Sequence, residues 1–120
     1  MSTPIRVIAL CAALVTSLPA QAQLLGLGLE TNIELTKQDL AIIRNTVNTE
    51  VHGKPLGTSA MWRDPSSANY GTIRLARKFV RNGQQCETLV YTLRTKRGSY
   101  APEHYRLSSC LQPDGQWLLI

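Results

Sequence analysis

The fold is decided by the stretch Thr72-Ile73-Arg74-Leu75-Ala76-Arg77-Lys78-Phe79-Val80-Arg81-Asn82-Gly83-Gln84-Gln85-Cys86-Glu87-Thr88-Leu89-Val90-Tyr91-Thr92-Leu93-Arg94. Two runs rich in β-branched and aromatic residues flank Asn82-Gly83, the dipeptide that a two-residue hairpin favours because both positions must accept positive φ. The stretch therefore reads as an antiparallel pair, Thr72 to Val80 and Gln85 to Arg94. Working outward, Thr58 to Arg63, His104 to Leu111 and Gln116 to Ile120 have the same character. Asp64-Pro65-Ser66-Ser67 and Gln112-Pro113-Asp114-Gly115 supply turns, proline presetting φ while Asp or Ser bonds the nearby backbone. Lys96-Arg97-Gly98-Ser99 opens the loop before the fourth strand.

Upstream the period changes. Thr36 and Asp39 form a capping-box pattern, and Leu40, Ile43, Val47 and Val51 follow at helical spacing, which predicts one amphipathic helix from Thr36 to Val51 ended by Gly53 and Pro55. His52 reads as a favourable charge at the helix C-terminus rather than as a ligand. The expected architecture is α+β: one N-terminal amphipathic helix packed on a small antiparallel sheet of about five strands, over residues 36–120.

Residues 1–22 have the parts of a cleavable export signal: Arg6, the apolar run Val7 to Val15, and the small-residue site Ala20-Gln21-Ala22. Cys11 follows Leu10 inside the apolar run, where a lipid-attachment site would call for a small preceding residue, so cleavage between Ala22 and Gln23 is expected. The run is shorter than the roughly 20 residues that cross a bilayer, and no transmembrane segment is expected after cleavage. Residues 23–35 read as an apolar arm, because the glycines of Leu24-Leu25-Gly26-Leu27-Gly28-Leu29 disfavour helix.

Removing the signal leaves Cys86 and Cys110, an even pair in a chain bound for an oxidising compartment, where a structural disulfide is the default. Closing that loop is worth about 3 kcal/mol on the chain-entropy model, a large share of a small domain's stability. If the third and fourth strands are antiparallel neighbours, the two cysteines fall at ends that meet.

The net charge is +5, or +4 without Arg6. The excess is concentrated: Arg63, Arg74, Arg77, Lys78, Arg81, Arg94, Lys96 and Arg97 face only Asp64 and Glu87 in the same stretch. The plainer reading makes these solubilising residues on exposed strand faces. The sharper one makes Arg74, Arg77, Lys78, Arg81, Arg94, Lys96 and Arg97 an anion-binding surface for an envelope polymer or lipid such as lipopolysaccharide. Nucleic acid is not an expected partner.

Trp62 with Pro65 and Gly71, then Asn82-Gly83 and Cys86, then Cys110 before Asp114-Gly115 and Trp117, resemble a known pattern. It is similar to the C-terminal domain of the bacterial surface-antigen family named for a seventeen-kilodalton outer-membrane antigen. The resemblance covers Gly53 to Ile120 and extends more weakly through the helix. It implies an envelope-located, disulfide-bonded, β-rich domain with no known catalytic activity. Many members carry a long glycine-zipper stretch and a lipid-modified cysteine ahead of the domain, whereas here the glycines of residues 24–29 lie two apart. A periplasmic or peripherally outer-membrane-associated form is therefore expected.

Enzyme chemistry finds no constellation. His52 and His104 accompany neither G-x-S-x-G nor H-E-x-x-H, and no His or Cys pair has metal-ligand spacing. Of the carboxylates a glycosidase would need, Asp39 is claimed by a cap and Asp64 and Asp114 by turns. Trp62 and Trp117 read as packing residues rather than a binding platform, and Tyr70, Tyr91, Tyr100 and Tyr105 are left unplaced. The expectation is a non-catalytic envelope module, structural or interacting with an unknown envelope protein. The alternatives are a module for anionic polymers and an inhibitor or accessory subunit of a periplasmic enzyme. No cofactor or metal is implied. Intact-mass measurement of the protein from its native compartment is expected to find cleavage after Ala22 and two fewer hydrogens than the reduced chain; two free thiols or a retained leader would overturn this reading.

Overall fold

In a computed structural model that describes residues 31–120, Thr36 caps helix α1 (Lys37–Glu50). The expected leader, and residues 23–30 of the expected arm, lie outside the described residues. Both halves of the capping box form: Thr36 Oγ1 accepts from the Asp39 amide at 3.0 Å, and Asp39 Oδ2 accepts from the Thr36 amide at 2.8 Å. The helix buries Asp39, Ile43, Thr46 and Val47, and leaves Leu40 half-buried. The apolar stripe is thus rotated from the expected line through Leu40. Its cause is Asp39, whose carboxylate accepts from Ser67 Oγ at 2.6 Å and Asn69 Nδ2 at 2.8 Å, drawing that side of the helix inward.

Five strands follow: β1 (Ser59–Asp64), β2 (Asn69–Arg81), β3 (Gln84–Thr95), β4 (Glu103–Leu111) and β5 (Trp117–Leu119). Each pairs antiparallel with its sequence neighbours, a meander in the order β1-β2-β3-β4-β5. The β2–β3 turn is Asn82-Gly83, with φ of 51° and 77°, which only residues tolerant of the left-handed region hold without strain. β2 begins at Asn69 rather than Thr72, because the turn closes at Ala68, so β2 runs the whole length of its partner β1. β5 is shorter than the expected Gln116 to Ile120.

One sheet face receives the helix. Ile43, Val47 and Val51 pack with Ile33 against Ala60, Trp62, Ile73, Leu75, Leu89, Tyr91 and Leu93. Alternation sends the neighbouring residues to the opposite face, which no helix or strand among the described residues covers. The alternation is interrupted once, by a bulge at Ala76: Leu75 pairs with Leu89, but Arg77 pairs with Thr88. Without that extra residue, the register fixed at the hairpin would put Leu75 opposite Val90 and turn it away from the core. The bulge returns Ile73 and Leu75 to the helix side.

Three strand carboxylates lie on that same side, one holding a turn and two clamping what covers the sheet. Asp64 accepts from the Ser66 amide and hydroxyl at 2.9 and 2.6 Å, holding the β1–β2 turn; the Ser66 hydroxyl is the largest reason its carboxyl lies below the usual value. Glu87, 1% exposed, meets His52 Nδ1 at 2.7 Å and accepts from the Gly53 amide at 2.9 Å, fixing the chain as it leaves α1. Glu103 accepts from the amides of Asn32 and Ile33, at 2.9 and 3.1 Å, and from the Tyr105 hydroxyl at 2.6 Å. His52 is therefore more than the helix-end charge expected from its position. It bridges buried Glu87 to Trp117, whose ring stacks on the imidazole at 4.4 Å between centroids.

Cys86 and Cys110 are direct cross-strand partners on β3 and β4 and form the expected disulfide, with Cα atoms 4.0 Å apart. Among the described residues no helix is long and apolar enough to cross a membrane.

Gly71 sits directly opposite Trp62, beneath its indole. A Cβ there would collide with the Thr92 carbonyl oxygen and lie 3.0 Å from Trp62 Nε1. Gly71→Ala is therefore expected to destabilise the domain by about 1–3 kcal/mol, since the obstacle is a ladder carbonyl rather than a movable side-chain end; urea unfolding checks this, and an unchanged midpoint would refute it. A second expectation concerns alkaline pH. Burial, with the Glu87 charge adding, pushes the Tyr91 hydroxyl up from 10.0; burial and then the bond to Glu103 push Tyr105 up to about 12. The folded state keeps both protons where the unfolded chain loses them, so this stability is intact below pH 10 and is lost as pH climbs towards about 12. Urea midpoints measured alongside tyrosinate absorbance test it; a midpoint rising over that range would contradict the assignment.

Candidate anion-binding face

Strand alternation and register place six arginines on the uncovered face: Arg63 on β1, Arg74, Arg77 and Arg81 on β2, Arg94 on β3 and Arg106 on β4. They fall in cross-strand rows. Arg63 opposes Tyr70, which opposes Arg94; Arg74 opposes Val90, which opposes Arg106. With strands about 4.8 Å apart, each row holds two guanidinium stems about 10 Å apart with an uncharged residue between. His104, whose Nδ1 lies 3.2 Å from Thr92 Oγ1, shares the face.

No carboxylate stands on these strand positions. Asp64, Glu87 and Glu103 all belong to the helix side, where they hold backbone amides and hydroxyls. Among the described residues no carboxylate on the strands balances these arginines, and all six are exposed. A surface of one sign with donors in fork geometry is suited to carboxylate and phosphate oxygens.

The seven residues expected from sequence do not form one patch. Arg74, Arg77 and Arg94 meet on the open face, Arg77 because of the bulge at Ala76. Its guanidinium lies over the Phe79 ring at 4.5 Å from the centroid. Lys78 turns the other way, and its Nζ bonds the Lys54 carbonyl at 3.0 Å. Arg81 shares that face at its hairpin end, opposite Gln84. Lys96 extends the open face, with Nζ 6.0 Å from the Tyr70 ring centroid. Arg97 belongs to a separate depression with Asn32, Thr95 and Tyr100. Two members of the face were not among the seven: Arg63, counted only in the charge excess, and Arg106, whose signal was its place between core-facing Tyr105 and Leu107.

A groove of about 730 Å³ opens at the β1–β2 end, lined by Met61, Arg63, Asp64, Pro65, Tyr70 and Lys96 among others. Tyr70 is half-buried within it, whereas Tyr91 is in the core and Tyr100 is exposed.

The residues that carried the family resemblance shape the scaffold. Trp62 and Gly71 are the packed pair just described, and Pro65 stands in the turn after β1. Asn82-Gly83 makes the hairpin. Asp114 and Gly115 close the last turn, where the Gln116 amide donates to Asp114 Oδ1 at 3.0 Å and the Gly115 amide to the Gln112 carbonyl at 2.9 Å. Trp117, expected in the core, is half-exposed and stacked on His52. Among the described residues no group of three or more His, Cys, Asp or Glu is placed to hold a metal ion.

No family model and no solved structure matches the chain. Named relatives do. The chain is 33% identical over 87 residues to a 17 kDa surface antigen of Rickettsia bellii, covering 72% of this chain and 53% of that protein. It is 33% identical over 88 residues to that of Rickettsia conorii, with the same coverage, and 35% identical over 84 residues to that of Rickettsia rhipicephali. The chain thus spans about half the length of these relatives. Over the part they share, it belongs to the family of the 17 kDa surface antigens.

Proposed function

We propose that the domain is a non-catalytic interaction module of the bacterial envelope, exported to the periplasm or the outer membrane, that holds an anionic surface polymer against its open sheet face. The observation that carries this reading is the segregation of charge. Arg63, Arg74, Arg77, Arg94 and Arg106 share one exposed face, while the carboxylates of the same strands are spent on the other. The relatives' name, surface antigen, supports a surface-exposed location. The disulfide between β3 and β4 supports an oxidising compartment.

Chemically, the face works as a rigid comb. Its strands fix the stems, the disulfide and clamps fix the strands, and the guanidinium groups meet phosphate or carboxylate oxygens without the domain reorganising. The separation of about 10 Å within each row is close to the screening length at about 0.1 M salt, so the cations act together in dilute salt and separately in concentrated salt.

Co-sedimentation with anionic and zwitterionic vesicles tests the proposal. Retention on anionic vesicles at low salt is expected, with loss at high salt and in the triple variant Arg74→Glu, Arg94→Glu, Arg106→Glu. A triple variant of the same charge change elsewhere, Lys37→Glu, Arg44→Glu, Lys54→Glu, is expected to retain most of the binding. Salt-insensitive retention, or equal loss in both variants, would refute a role for the face.

A further inference from the structure

We infer that the open face takes the head of a glycolipid built on a disaccharide with a phosphate at each end, one phosphate on each of two arginine rows; this rests on the anionic-polymer reading above and names the part of the polymer that is held. Register alone sets the spacing. Tyr70 lies between Arg63 and Arg94, and Val90 between Arg74 and Arg106. Arg74 is four residues on from Tyr70, and Arg94 four on from Val90, so the rows are about 14 Å apart at roughly 3.4 Å per residue. The bulge at Ala76 lies outside this interval, and the ladder between the rows is unbroken.

The strip between the rows holds no fixed charge. It is the cross-strand line Met61, Thr72, Thr92 and His104, with no arginine, lysine or carboxylate on it. Met61 is 77% exposed and offers an apolar surface. Thr92 Oγ1 and His104 Nδ1 lie 3.2 Å apart, and with the half-buried Thr72 they make the rest of the strip hydrogen-bonding. Lys96, beside the Tyr70 ring, adds a cation to the first row. Towards the hairpin the second row is not continued, since Arg77 lies over Phe79, 4.5 Å from the ring centroid, and Arg81 stands at the hairpin end.

These features select the ligand. Two arginines about 10 Å apart across a half-buried residue lean inward on flexible stems and share one phosphate, whose oxygens accept from both forks. The same convergence in both rows makes two phosphate positions with a neutral strip between them. A chain of closely spaced charges, such as polyphosphate or a uronic-acid polymer, would set anions over that strip, where no cation meets them. A single phosphate engages one row and leaves the other. A disaccharide phosphorylated at both ends carries charge only at its ends, and lays its polar ring substituents and C–H faces over Thr72, Thr92 and Met61. Two sugar rings in line span a gap of that order, and the arginine stems take up the remainder. Among the described residues no helix or strand covers this face, so it can lie flat on a membrane surface, where a glycolipid presents such a head.

Three kinds of vesicle test this by co-sedimentation. Each is zwitterionic lipid doped with bisphosphorylated lipid A, monophosphorylated lipid A or phosphatidylglycerol, at equal total negative charge. Bisphosphorylated lipid A is expected to bind about tenfold more tightly than either of the others. Removing one row, by Arg63→Ala with Arg94→Ala or by Arg74→Ala with Arg106→Ala, is expected to bring that ratio to about one, since the second phosphate then meets nothing. Arg77→Ala with Arg81→Ala removes the same charge and is expected to weaken all three while keeping the ratio. All six positions are exposed, and glutamine replaces any alanine pair that fails to fold. Equal binding of the two lipid A forms, or a ratio that survives the loss of either row, would overturn the paired-phosphate site while leaving the charged face standing. Retention on no anionic vesicle at low salt would remove both.

Discussion

Everything in this domain follows from a sheet covered on one side. A single helix and the segment leading into it must be held on that side, and the grip is polar as well as apolar. Asp39 ties the head of α1 to the β1–β2 turn through Ser67 and Asn69. Glu87 ties its tail through His52 and Gly53. Glu103 holds the approaching strand of residues 32 and 33. A buried carboxylate persists only where hydrogen bonds repay its lost hydration, and Asp39 and Glu87 have found them. Clamping the cover therefore uses the sheet's negative charges on the covered face, and the other face is left to arginine.

The bulge at Ala76 is where packing and function meet. Counted from the Asn82-Gly83 turn, an unbroken ladder would set Arg74 opposite Tyr91, on the covered face, and Leu75 opposite Val90, in solvent. The inserted residue corrects both at once, pairing Arg74 with Val90 and Leu75 with Leu89. It also leaves Arg77 on the same face as Arg74, although the two are separated by an odd number of positions. One added residue thus assembles half of the basic face, and its driving force is the burial of Ile73 and Leu75, each worth about 1.5–3 kcal/mol when fully removed from water.

Much of the scaffold is legible in the sequence. The hairpin dipeptide, the capping box, the disulfide partners and the number of strands all rest on interactions between near neighbours or on compartment chemistry, which a single sequence carries. The candidate site was legible only as composition: a density of Arg and Lys. Its membership was not, because Lys78 and Arg77 are adjacent in the chain yet end on opposite faces, and because Arg106 lies outside the basic stretch altogether. The partners of His52 were hidden for a related reason, since nothing near it in the chain announces Glu87 or Trp117.

The amino-acid order alone thus settled which segments are helix and strand, which turns join them and which sulfurs pair, since each depends on local backbone preference or on the scarcity of cysteine. Folding in three dimensions settled which charges stand together. That outcome turns on a one-residue register shift and on distant carboxylates claimed by the helix, and the free energy of both lies in contacts between residues far apart in the chain.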